Sequence, residues 1–326
     1  MTPQSQKILD EMQVRKSRKQ KAGFRAWLCR ELETAGWTVT VEHARLDPLA
    51  GYNVVAGDPE QAKVLYTAHY DTQAVLPIPN FITPRNPLFY VLYQLLIVIP
   101  MLAAVAAAEI LLIFLTEALG ASELLWWLAP LCSVLICVFF IWWIIDGPAN
   151  KHTANDNTSG VVTLVETALA LPPELREKVC FVFFDNEEKG MFGSIGFSSK
   201  HKRVKKNTLV INFDCVGDGD SIQFFPKGGL KKDAAALEAI EAAFLPSGGK
   251  EVQVVRGFGF YPSDNANFKK GAGVCALKHK KALGYYMDRI HTAKDTVCDE
   301  RNIALLRDGA VRLLLFLERK SKQKEL

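Results

Sequence analysis

The sequence offers little material for a disulfide framework, a nucleic-acid surface or a secretory leader. Its seven cysteines are odd in number and contain no CxxC or paired spacing. Cys132 and Cys137 lie in an apolar run, and Cys180 and Cys275 in strand-like runs, so buried thiols of a reducing compartment are expected. The net charge is only +4 and is dispersed, which excludes a nucleic-acid partner. The first residues, MTPQSQKILDEMQVRKSRKQ, lack the apolar core of a signal peptide. Histidine is scarce, with six in the chain, so imidazole chemistry has few candidates. Apolar residues are plentiful, at 49% of 326. Much of that excess is local, in residues 88–115 and 124–145. Without this region roughly 260 residues remain, the size of one large α/β domain.

Residues 5–35 read as one amphipathic helix with Ile8, Met12, Phe24, Trp27, Leu28 and Leu32 on its apolar face. Short strands are expected at 37–41, 52–56, 63–68, 179–184, 208–213, 221–225, 252–255 and 273–277. Helices are expected at 161–171, 194–199, 230–244, 264–270 and 299–319. Strands alternating with helices imply a three-layer α/β/α domain around a mixed, largely parallel sheet.

Between these halves lies a Pro-rich link and then the two apolar runs. The first carries one formal charge, Glu109, and the second none. About 20 apolar residues suffice for a helix to cross a bilayer. Both runs qualify as an antiparallel transmembrane hairpin, inserted at 86–147 and dividing the catalytic domain into 1–85 and 148–326. Buried core helices or an apolar lid are the alternative. Tyr90, Tyr93, Trp126, Trp127, Trp142 and Trp143 sit near the ends, as in an aromatic belt. Arg85, Lys151 and the basic N-terminal helix flank the spans, whereas the connector carries Glu117 and Glu123 but no Lys or Arg. The positive-inside rule then puts the catalytic domain and both termini in the cytoplasm.

Several apolar strands discharge polar groups at their carboxyl ends, where open α/β sheets bind ligands. One delivers His69 and Asp71, which share a side of the strand. This pair suits a metal ligand and its orienting carboxylate, or an ordinary hydrogen bond. A second delivers Glu187 and Glu188, whose mutual repulsion calls for compensation by a metal or by solvent. A third delivers Asp214. Asp156, ahead of a helix, reads as a cap or as a metal carboxylate, and His291 lies in a late loop. Together these donors could hold two zinc ions around a bridging carboxylate. Zinc brings the pKa of bound water down to roughly 7, and a spare glutamate can move the proton. His43, His201 and His279 read as surface residues; His152, near Asp156 in sequence, could edge the site but does not read as a ligand.

The segments AHYDT (68–72), NDNTSG (155–160), FFDNEEKGMFGS (183–194), NFDCVG (212–217), PSDNANF (262–268) and IHTAKDT (290–296), in that order, resemble the di-zinc aminopeptidases of the leucyl aminopeptidase type. Wider relatives include glutamate carboxypeptidase, the glutaminyl cyclases and the protease-like domain of the transferrin receptor. The resemblance implies one zinc on His69, Asp156 and Asp214, and a second on Asp156, Glu188 and His291. It makes Glu187 the general base and acid, and Asp71 the group that orients His69. Ile290 stands where some members have an oxyanion-stabilising tyrosine, and Tyr261 is the candidate substitute, with Tyr285 and Tyr286 behind it. Asn155 replaces an acid at a position that is not a ligand. The implied activity is removal of N-terminal residues from peptides. The hairpin departs from the family, lying between the first ligand and the bridging ligand; it is expected to bring the site close to the membrane, where membrane-associated peptides or aminoacyl lipids are candidate substrates. The competing expectations are a one-zinc glutaminyl cyclase-like acyltransferase and a non-catalytic membrane scaffold.

Overall fold

The computed structural model describes residues 1–44, 51–118, 120 and 128–325. At its centre is a nine-stranded mixed sheet: β1 (Val39–His43), β2 (Tyr52–Ala56), β3 (Val64–His69), β4 (Val179–Phe184), β5 (Leu209–Phe213), β6 (Ser221–Pro226), β7 (Glu251–Val254), β8 (Gly271–Lys280) and β9 (Gly284–Tyr286). The order is β1-β2-β4-β3-β5-β8-β6-β7, with β9 paired to β8. Only the middle, β4-β3-β5-β8, is parallel, together with the β6–β7 pair. The flanks are antiparallel, so the sheet is less parallel than the strand–helix alternation predicts. The central strands β3, β4 and β5 are buried at every residue, which accounts for sequences that are apolar but for Thr67, His69 and Asn212.

The expected 5–35 helix is two helices, α1 (Pro3–Glu11) and α2 (Arg18–Thr34). Ser17 and Gln20 form a reciprocal capping box that starts α2 afresh. The break lets Arg15 run inward, 1% exposed, with its backbone N–H on Thr72 Oγ1 at 2.9 Å. The expected first strand lies two residues later, at β1, and the expected 264–270 helix is a single turn, Asp264–Asn267.

The apolar runs form α3 (Pro87–Ala118) and α4 (Leu128–Asp146), packed on one another. Residues 119 and 121–127, including Glu123, Trp126 and Trp127, lie outside the described residues. Length and composition make α3 able to cross a membrane; the apolar stretch Pro130–Asp146 of α4 is shorter. α3 is apolar on all sides yet buries none of its residues, with Leu88 69% and Leu96 71% exposed. The chain leaves and re-enters the domain at one point. Val75 N–H donates to Pro148 O (2.8 Å) and Asn150 N–H to Gln73 O (3.0 Å). Strands from before and after the pair therefore share one sheet.

The remaining helices are α5 (Gly160–Ala170), α6 (Phe192–Lys200), α7 (Lys202–Asn207), α8 (Ala234–Ala243) and α9 (Glu300–Glu325). One face of the sheet packs α1, α2, α5, α8 and α9 in the main core, and the other packs Phe197, Val204 and Phe268. All seven cysteines are free, and Cys180, Cys215 and Cys275 are buried.

Candidate metal centre

Strand register brings the donors together. His69 pairs level with Phe184, and Tyr70 N–H continues the ladder to Phe184 O at 2.9 Å. Asp214 follows β5 on the other side of β3. The ends of three adjacent parallel strands therefore carry His69, Glu187–Glu188 and Asp214 to one edge.

There His69 Nε2 lies 3.4 Å from Asp156 Oδ1 and 3.5 Å from Asp214 Oδ1. His291 Nε2 lies 2.9 Å from Asp156 Oδ2 and 3.6 Å from Glu188 Oε2. The donors fall into two triads, His69–Asp156–Asp214 and Asp156–Glu188–His291, which share Asp156 through its two different oxygens. Glu187 completes a third group with His69 and Glu188. Glu188 Oε1 is buried without a hydrogen-bond partner. Mixed imidazole and carboxylate donors, with an orphaned carboxylate oxygen among them, fit divalent cations such as zinc.

The electrostatics agree with that fit. Burial, followed by the charges of neighbouring carboxylates, pushes Glu187 and Glu188 well above the usual carboxylate range. Burial would lower His69, but Asp156, Asp214 and Asp71 outweigh it and hold its pKa well up.

The supporting residues were largely invisible in the sequence. Asp71 lies 3.5 Å from His69 Nδ1, yet that nitrogen makes no hydrogen bond. The Asp71 carboxylate instead accepts the backbone N–H groups of Glu187 (3.0 Å) and Glu188 (3.2 Å). Asp295, in the His291 loop, accepts Asn155 N–H (2.8 Å) and Asp156 N–H (2.9 Å). Burial and then the charge of Asp156 push Asp295 up to about 8, against the pull of those two bonds. Asn155 uses only its amide oxygen, which accepts Gly217 N–H (2.7 Å) and Asp218 N–H (3.1 Å). Both contacts are to an acceptor oxygen, so an amide serves at this position without a charge. Asn157, not Asp156, serves α5 as its cap, accepting Gly160 N–H at 3.0 Å. Arg15 passes behind the site to Tyr70 O and to Thr158 Oγ1 at 3.1 Å. Asp264, fully buried, is pushed up to about 7, first by burial.

Among the described residues four non-glycines have positive φ: Asn186 (55°), Met191 (60°), Cys215 (56°) and His291 (62°). All lie in the loops that carry the donors, and such backbone strain concentrates at functional sites. Gly193 is required for a different reason, since a Cβ there would lie 2.2 Å from Asp185 O.

Tyr261 lines the cleft, but its hydroxyl donates to Asp214 O at 3.1 Å. Service as an oxyanion donor would require giving up that bond. His43 and His279 are exposed as expected, and His152 is exposed as well. His201 departs from expectation. It is buried between Glu60 Oε1 (2.8 Å from Nδ1) and Glu42 Oε2 (3.1 Å from Nε2). The cleft above the donors has a volume of about 430 Å³, and Phe258 and Phe260, 61% and 59% exposed, stand on its rim.

The family model described as peptidase family M28 matches residues 144–311, which include every donor except His69. A comparison with curated proteins finds no match. Among solved structures, the LapA aminopeptidase of Legionella pneumophila is similar at TM-score 0.56 and 15% identity, over 95% of this chain and 69% of that one. The glutaminyl cyclase of Porphyromonas gingivalis is similar at TM-score 0.57 and 17% identity, over 95% and 94%. The glutaminyl cyclase of Macrostomum lignano is similar at TM-score 0.56 and 14% identity, over 98% and 90%. At such identities the likeness is one of fold.

Proposed function

The chain belongs to peptidase family M28, and on that premise we propose that it is a membrane-anchored, zinc-dependent aminopeptidase that removes N-terminal residues from peptides. The observation that carries the reading is the pair of donor triads sharing Asp156. His69, Asp156 and Asp214 would hold one zinc, and Asp156, Glu188 and His291 the other. Zinc held there supplies Lewis acidity and acidifies water.

Glu187, half-buried and with its pKa raised, takes the proton of the attacking water and returns it to the leaving amine. Asp71 fixes the backbone from which Glu187 and Glu188 project. The excess of carboxylates attracts the free α-ammonium of a peptide. In this reading residues 1–85 and 148–326 form the catalytic domain, and residues 86–147 form a hairpin that spans the bilayer twice. Both termini lie in the cytoplasm, and the cleft opens near the membrane surface.

Metal analysis joined to an aminoacyl p-nitroanilide panel tests the proposal. Two zincs per chain with chelator-sensitive hydrolysis are expected. One zinc with cyclisation of Gln-peptides would make the chain a glutaminyl cyclase instead, a reading that the solved neighbours keep in view. Two zincs with no hydrolysis across the panel would favour a scaffold.

A further inference from the structure

A second cavity, of about 720 Å³, lies between the helix pair and the link that precedes it. It is larger than the cleft of about 430 Å³ over the donors, and His291 and Asn80 line both. The two spaces therefore adjoin at a candidate metal ligand. Its walls are Leu76 and Ile78 of the link, Val98 and Met101 of α3, and Phe140 and Trp143 of α4. Among the described residues no Asp, Glu, Lys or Arg lines it.

We propose that the substrates of this site are aminoacylated amphiphiles, with the aminoacyl head at the donor cluster and a long alkyl tail, beyond the scissile bond, in this groove. The inference rests on the aminopeptidase reading above and names its substrate class.

Three features select a tail over a peptide. The space is far larger than one side chain needs. Residues of α3 and α4 form much of its wall, and their backbone N–H and C=O groups bond within the helices, so an extended peptide would find few partners beyond the side chains of Gln73, Asn80 and Gln94, and each unpaired polar group costs several kcal/mol. A methylene chain has no such groups to satisfy. The groove also borders helices that expose apolar side chains, such as Leu92, Leu95 and Phe139, so a tail can slide in from a lipid leaflet without crossing water.

The reaction is ordinary hydrolysis. Water adds to the aminoacyl carbonyl, the C–N or C–O bond to the tail-bearing group breaks, and that group leaves with a proton as an amine or alcohol. No co-reactant besides water is needed.

The test uses the full chain in nanodiscs with aminoacyl n-alkylamides from butyl to dodecyl, kept below micelle formation. The aminoacyl group is the one favoured as its p-nitroanilide. The expected result is a kcat/KM that climbs with chain length by up to about four-fold per methylene, the value of one buried CH₂. Partition into the disc also favours longer chains, so Val98→Trp and Met101→Trp, each filling the groove from a separate position, supply the control. Each variant is referenced to its own p-nitroanilide rate, which cancels a partial loss of folded protein. Both should flatten the slope relative to wild type. Calorimetry with chelator-treated protein should show dodecylamide binding that these variants weaken.

Chelator-sensitive p-nitroanilide hydrolysis with a flat chain-length series, or with one slope shared by wild type and both variants, would overturn the inference and leave the aminopeptidase reading standing. Hydrolysis of neither probe overturns both. A groove filled only by bystander lipid gives the shared slope.

Discussion

Glu187 and Glu188 adjoin in sequence and turn to different neighbours: Glu188 to Asp156 and His291, Glu187 to His69. Glu187→Gln should therefore keep its metal while turnover falls by about 10²–10⁴-fold, as read by metal content beside rate. Loss of metal from this variant would mean that the two glutamates exchange roles. Asp71→Asn tests the support beneath them. An amide has one acceptor oxygen, and the carboxylate accepts two backbone N–H groups. Metal affinity or activity should drop by about 10–100-fold, measured by competition with a chelator and by rate. The donors themselves were legible, because each stands at the end of an apolar strand or in a short polar motif. Asp295, Arg15 and the use Asn155 makes of its amide were not. Their partners lie far along the chain, as when Arg15 reaches Thr158, and no local pattern encodes such a meeting.

At the scale of elements, His201 joins the α6–α7 junction to β1 through Glu42 and to the turn before β3 through Glu60. Burial would lower the His201 pKa, but the two carboxylates outweigh it and hold it above its ordinary 6.5. A raised folded-state pKa stabilises below 6.5, and that contribution disappears as pH rises through the raised value. Glu42 runs the other way. Burial would raise it, but His201 and Lys200 hold it below 4.5, so its contribution is present above 4.5 and disappears as pH falls through the lowered value. His201→Gln should thus lose most thermal stability between these limits, just below pH 6.5, and the deficit should shrink at higher pH. Melting curves across pH check this, and a deficit that ignores pH would assign His201 to packing alone. Strands were the most legible elements, since β3, β4 and β5 are mainly apolar. The break between α1 and α2 was not, because apolar residues on both sides keep a helical period and only the inward run of Arg15 interrupts it.

For the whole molecule, the order of elements pointed to an α/β sheet with an insertion. A mixed sheet was expected, but which strands pair antiparallel was not legible, because pairing direction depends on contacts between distant segments. The exposed apolar surface of α3 leads to a definite expectation. The chain should remain in the membrane pellet after alkaline carbonate extraction, and tags at both termini should resist protease added outside intact cells. Release by carbonate would argue for an apolar lid instead, and cleavage of the tags would invert the orientation.

The meeting of Val75 with Pro148 has a kinetic side. Joining chain ends separated by some seventy residues costs about 2 kcal/mol more in closure entropy than joining ends a few residues apart. The packing of α3 on α4 brings those ends together without help from the sheet. Contacts close in sequence form ahead of distant ones. A helix pair formed early would hold the strand bearing His69 beside the turn bearing Asp156 before the strands between β1 and β8 have found their order. In that sense the insertion works as a folding clamp, shortening the search by which two halves of one catalytic domain meet.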